Sequence, residues 1–250
     1  DQWMEGRAYG HLGKVSHLLG EYQRAVEMQE KHLEITLKFG GRAGLMMAYS
    51  CLGQAYISLG EYTKAIEMHE KHLVVALEMG DQGQQQAAKS FLEIAYTWTS
   101  IGKLKRDLEI ALESGDQEGK RAVYEQLGSM YSLLEEHRKA VDMYEKVLEI
   151  ALETGDRICE VTASMNMGIS YGRLGENRRE IEILEKCQEI ALELGNRSML
   201  MIIYDRLDMS YTSLGEYRRA IATNENRLEI ALETGDRGEE IGAYRGLGAK

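Results

Sequence analysis

The sequence predicts an all-α solenoid, a superhelix of paired helices stacked in tandem. Three observations carry that prediction. The ten residues LEIALETGDR occur at 148–157 and again, unchanged, at 228–237, and degenerate copies at 33–42, 73–82 and 188–197 reduce the spacing to 40 residues. Each interval holds two amphipathic stretches whose apolar residues recur every three or four positions, the helical period. The chain has no proline, and a glycine closes most of the stretches. A fixed period of this size marks an array in which each unit packs on its neighbours, so chain length sets the number of units.

Cutting after the second glycine of each interval gives units 1–40, 41–80, 81–115, 116–155, 156–195 and 196–235, with 236–250 beginning a seventh. Together they form one array. Unit 41–80 shows the construction. Its first helix, A, aligns Ala48, Leu52, Ala55 and Tyr56 and stops at Gly60. Its second, B, aligns Tyr62, Ala65, Ile66, Leu73, Ala76 and Leu77 and stops at Gly80. Glycine ends a helix because it takes the left-handed conformation without a Cβ clash. The Asp or Asn that follows (Asp81, Asp116, Asp156, Asn196, Asp236) is suited to cap the next helix. The duplicated decapeptide is therefore the end of a helix B, its stop, and the start of the next helix A. It is punctuation, not a binding motif.

Composition narrows the function. The chain carries 41 Asp and Glu against 30 Lys and Arg, a net charge of −11, which argues against a nucleic-acid binder acting by phosphate neutralisation. Cys51, Cys159 and Cys187 are few, distant and odd in number, which predicts a reducing compartment. No apolar run approaches the roughly 20 residues that span a bilayer, and the start has no signal-peptide pattern, so a cytoplasmic location without membrane contact is expected. Asp1 falls at the repeat position of Asp116 and Asp156, and Lys250 falls within a helical pattern. Neither end resembles a polar cap, which predicts a fragment of a longer array.

The residues YSCLGQAY and LGEYTKAIE in 49–67 carry an aromatic, Leu-Gly, Tyr, Gly, aromatic and Ala at fixed offsets. The pattern returns as YGHLGKVS (9–16), YEQLGSMY (124–131), MNMGISY (165–171), YDRLDMSY (204–211) and YRGLG (244–248). It resembles the tetratricopeptide repeat across the whole chain. The 40-residue period more closely resembles the G-protein-signalling modulator (Pins-like) repeats and long animal arrays, since the ordinary repeat has roughly 34 residues. The resemblance implies a right-handed superhelix of six helix-turn-helix repeats plus a partial seventh. It also implies that helix A residues line a concave groove for a partner segment. Pins-like repeats favour Asn at two helix A positions. Here these hold His11 and Lys14, Cys51 and Gln54, Phe91 and Ile94, Gln126 and Ser129, Asn166 and Ile169, and Arg206 and Met209, so only Asn166 matches. Neighbouring positions extend the expected groove to Arg7, Met47, Glu125, Met165 and Asp205, with Thr162 and Ile202 beside them. An apolar stretch of Met47, Cys51, Phe91, Ile94, Met165, Ile169 and Met209 suits an apolar helix or strand. Methionine at helical spacing is also ordinary core material.

Three breaks in the pattern stand out. Unit 81–115 lacks five residues that would begin helix B, which removes about 7.5 Å of helix and turns its phase by about 140°. Phe91 and Trp98 lie beside the gap, and either they or a partner are expected to fill it; Trp98 therefore joins the candidate site. The tight glycine of helix A becomes Glu93 and Asp208. The close-packed alanine of helix B becomes Glu180, for which Arg206 or Arg179 would be the partner.

No catalytic constellation emerges. His69 and His72 lie three apart, but the repeat position of His72 also accepts His32, Val147, Cys187 and Arg227, so packing explains it better than a metal. No phosphate loop and no oriented Cys–His pair is present. The expectation is a non-enzymatic scaffold without cofactor or metal, binding a protein or peptide segment. Two rival readings are head-to-tail assembly of identical copies into filaments and a recruiting arm of a larger signalling protein.

Overall fold

The computed structural model describes residues 2–39 and 41–248, and every regular element among them is an α-helix. The chain forms two compact units, Asp1–Lys103 and Leu104–Lys250. The first contains α1 (Gln2–Leu18), α2 (Tyr22–Phe39), α3 (Arg42–Leu59), α4 (Tyr62–Met79) and the first part of α5 (Gln82–Ser114). The second contains the remainder of α5, α6 (Gln117–Leu133), α7 (His137–Thr154), α8 (Arg157–Arg173), α9 (Asn177–Glu193), α10 (Arg197–Ser213), α11 (Tyr217–Thr234) and α12 (Arg237–Gly248). From α1 to α4 and from α6 to α12, consecutive helices pack on one another, as helix pairs closed by tight turns require.

The turns follow from backbone chemistry. Gly60 takes φ 78° and its N–H reaches the Ile57 carbonyl, while Glu61 N–H bonds Tyr56 O at 2.9 Å. Glu135 occupies the same position in its repeat and is driven to φ 59°, a conformation that costs a side-chain-bearing residue about 1–2 kcal/mol. The caps form as the sequence predicts: Asp116, Asp156 and Asn196 accept from the N–H groups of Gly119, Cys159 and Met199 at 2.9, 3.0 and 3.1 Å. The arginine of the decapeptide has a task of its own. Arg157 pairs with Glu193 at 2.9 Å and Arg197 with Glu233 at 2.8 Å, tying the start of helix A to the end of helix B in the same repeat.

Packing rests on small residues set against aromatic ones. Ala25, Ala65, Ala140 and Ala220 are all fully buried in the first turn of helix B. The helix A tyrosines Tyr56 and Tyr211 are buried, and their hydroxyls donate to Glu30 and Glu185 of the preceding helix B at 2.9 and 2.7 Å. Arg219 covers the outer face of Tyr211 at 4.6 Å.

The third repeat departs from the helix-turn-helix plan: its two halves fuse into the 33-residue α5. The missing five residues include the turn. Gly102 is followed by the strong helix formers Lys103, Leu104, Lys105 and Arg106 instead of a capping residue. An interior glycine costs about 1 kcal/mol, less than nucleating a new helix. Phe91 and Trp98 pack back onto α4, Phe91 stacked on His69 at 4.9 Å and Trp98 on Tyr62 at 5.7 Å. Glu93 is exposed, which removes any conflict at the tight position. Asp208 is half-buried and accepts from the Thr212 hydroxyl at 3.4 Å.

Two groups of buried polar residues remain. Glu180 is 2 % exposed and bridges to Arg206 at 3.0 Å and to the Ser210 hydroxyl at 2.6 Å. Arg179 instead pairs with Glu176 and stacks on Tyr171. Room for Glu180 comes from Gly172, where a Cβ would collide with that carboxylate; the equivalent residues elsewhere are Ile57, Ser132 and Thr212. In the first unit, His69 and His72 are fully buried. His72 bonds Gln84 at 3.0 Å, while both His69 nitrogens are without a partner. Burial, with His72 nearby, lowers the pKa of His69 to about 4.

Three predictions follow from these environments. Glu135→Gly relieves the left-handed strain and should raise stability by about 1 kcal/mol in urea denaturation; no gain would mean that Glu135 is unstrained. Gly172→Ala should cost about 2 kcal/mol, and adding Glu180→Ala should recover much of it, whereas strictly additive costs would deny a shared space. His69 is charged in the unfolded chain but neutral when folded below its ordinary pKa. Its contribution is therefore complete above pH 6.5 and is lost as pH falls toward 4, up to about 3 kcal/mol. His69→Leu, matching Leu184 of a later repeat, should flatten that pH dependence; an unchanged slope would assign it to other groups.

Candidate functional site

Helix A residues of the first unit build an open trough. On α1, Arg7, His11 and Lys14 lie at i, i+4 and i+7 and so share one face. On α3, Met47, Cys51 and Gln54 form the opposing wall. A space of about 540 Å³ lies between them, bounded by Lys14, Met46, Met47, Ser50, Cys51 and Gln54 among others. It shares Ala43 and Met47 with a hollow of about 350 Å³ lined by Trp3, Arg7 and Ile35. Met47 is 49 % exposed. The Lys14 ammonium reaches its sulfur at 3.5 Å, and the Arg7 guanidinium lies over Trp3 at 4.9 Å. His11 is exposed on the same face of α1 without lining the space.

Sequence reasoning missed Met46 and Ser50. Their signal was available, since Met46, Ser50 and Gln54 lie at i, i+4 and i+8 on one helical stripe. Phe91 and Trp98, expected in the groove, are instead occupied in their stacks on α4, and Ile94 is half-buried.

In the second unit three of the expected residues, Met165, Asp205 and Arg206, are engaged within the chain. Met165, expected in the groove, is 7 % exposed in the core with Leu184 and Leu200. Arg206 is turned onto Glu180, and Asp205 accepts from Arg227 at 2.6 Å. Glu125 and Asn166 border a narrow space of about 160 Å³ with Arg121 and Cys159. Gln126 and Ser129 are exposed, the Ser129 hydroxyl donating to the Glu125 carbonyl at 3.1 Å; Ile169 is half-buried and Met209 is 54 % exposed.

Burial raises the Cys51 pKa, opposed by Lys14, and pushes Cys187 up to about 12, so neither is an activated thiolate. Among the described residues, no three His, Cys, Asp or Glu side chains are grouped to hold a metal, and no helix is long and apolar enough to cross a membrane.

Known proteins share this architecture. Among solved structures the chain is similar to a Signal Transduction ATPase with Numerous Domains protein from Pyrococcus horikoshii, described as having a tetratricopeptide repeat sensor. That likeness has a TM-score of 0.56 and 20% identity, covering 98% of this chain and 38% of that one. It is also similar to aspartyl phosphate phosphatase F from Bacillus subtilis, with a TM-score of 0.55 and 15% identity, covering 95% and 67% of the two chains. At these identities the likeness shows the fold alone. No curated protein matches. The tetratricopeptide repeat profile matches residues 5–78 and 119–193, more than half of the sequence, and the chain belongs to the tetratricopeptide repeat family.

Proposed function

We propose that the chain is a protein-interaction scaffold whose trough between α1 and α3 holds a segment of a partner protein. The apolar lining of half-buried Met46 and exposed Met47 carries this reading: it borders a space of about 540 Å³ that shares Ala43 and Met47 with a second hollow. Solvated apolar surface in a concavity marks a site of interaction, and unbranched methionine adapts to varied side chains. Solenoids present their concave faces in this way. The second unit, with Arg206, Asp205 and Met165 engaged internally, offers less free surface. The Pins-like affinity rests on repeat length and Asn166, and it directs no choice of partner.

Panning a random twelve-residue peptide display library on the full chain tests the proposal. Enriched peptides should lose about tenfold or more in affinity for Met47→Glu, a difference of about 1.4 kcal/mol, while Met209→Glu in the second unit leaves them unchanged. Peptides that bind both variants equally well, or that are lost only with Met209→Glu, would refute the trough.

A further inference from the structure

Asp and Glu make up about one residue in six of this chain, yet among the described residues none lines the trough or the hollow beside it. The cations that border these spaces are Arg7 and Lys14, whose contacts are an aromatic face and a thioether, not a carboxylate. The ring of His32, also in the lining, is biased toward its neutral form first by burial and then by Lys14 and His11. A local positive field thus lies over an apolar floor in a protein of net charge −11.

We infer that the partner segment is acidic and apolar together, with two carboxylates flanking apolar residues. This inference rests on the trough being the binding surface. Arg7 and Lys14 are seven residues apart on α1, which places their backbones about 10 Å apart on nearly the same face. In an extended segment of polyproline type, residues i and i+3 share a face and lie about 9 Å apart. Two carboxylates at that spacing meet the two cations, while the intervening residues reach Met46 and Met47. The same field repels a basic segment, so selectivity arises from rejection as well as attraction. Because both cations are solvent-exposed, the preference weakens as salt rises.

The test uses the full chain with its methionine methyl groups isotopically labelled, titrated with three peptides and followed by NMR. Each peptide has Gly-Ser flanks; the first has the core Glu-Leu-Leu-Glu, and the others carry Gln or Lys in place of both Glu residues. The Met46 and Met47 methyls should respond to the Glu peptide with at least tenfold higher affinity than to the Lys peptide, with Gln between them. Added salt should narrow the difference, and Lys14→Glu should abolish it. Equal affinities for all three peptides would overturn the charge inference and leave the trough standing. A response confined to methyls outside the trough, or none from any peptide, would overturn both.

Discussion

Helices in this chain approach one another as closely as the first turn of helix B allows, and the rest of the architecture depends on that distance. Ala25, Ala65, Ala140 and Ala220 are fully buried there, where a small side chain lets the neighbouring helix approach. Close approach brings helix A tyrosines within reach of a glutamate on the preceding helix B in three repeats, Tyr56 with Glu30, Tyr96 with Glu70 and Tyr211 with Glu185. One short-range steric rule thereby fixes a longer-range hydrogen bond and, through it, the register of successive repeats. Glu180 breaks the rule at the same position. It is accommodated by three other residues: Gly172 vacates the volume, while Arg206 and Ser210 supply charge and a donor. A buried carboxylate stripped of such partners would be strongly destabilising.

The fused α5 shows the opposite case, in which a local deletion changes the secondary structure. A turn between two helices survives only if the chain gains caps and packing on the far side. Without the first turn of helix B, Gly102 has no cap after it and the helical alternative wins despite the glycine. The surface of α4 facing α5 is then served by side chains, with Trp98 on Tyr62 and Phe91 on His69. His69 is enclosed by this arrangement and held neutral, so the repair of a deletion also creates a buried acid-sensitive group.

Repeat boundaries, helix stops and Asp caps were legible in the sequence because each depends on one or two residues acting locally. The backbone of Gly60 and the carboxylate of Asp156 behave as their types dictate. The α5 fusion was not legible, since it turns on the balance between helix nucleation and a single interior glycine. Site residues were legible only as far as the helical face they occupy. Lys14 and Met209 sit at equivalent repeat positions, and so do Cys51 and Arg206, yet periodicity cannot say which side chain a neighbour will claim. Arg206 is claimed by Glu180, a residue 26 positions away whose own replacement of alanine is particular to that repeat. Met165 is lost to the core in the same manner, because the residues around it, Leu184 and Leu200, enclose it.

The availability of a helix A side chain therefore depends on what the adjacent helices B present. Beneath the trough these helices present Gln29, His32, His69 and His72, all buried and polar. Burial favours the neutral form of each histidine, and at His32 the field of Lys14 adds to the effect. A neutral layer makes no ion pair, so Arg7 and Lys14 are left facing the open space in the way that Arg206, beside a carboxylate, is not. Charge on the surface and neutrality below it are two sides of one arrangement: Lys14 disfavours a second positive charge at His32, and a neutral His32 spares Lys14 that repulsion. The positive character of the trough is thus concentrated on two exposed side chains that no internal salt bridge among the described residues engages.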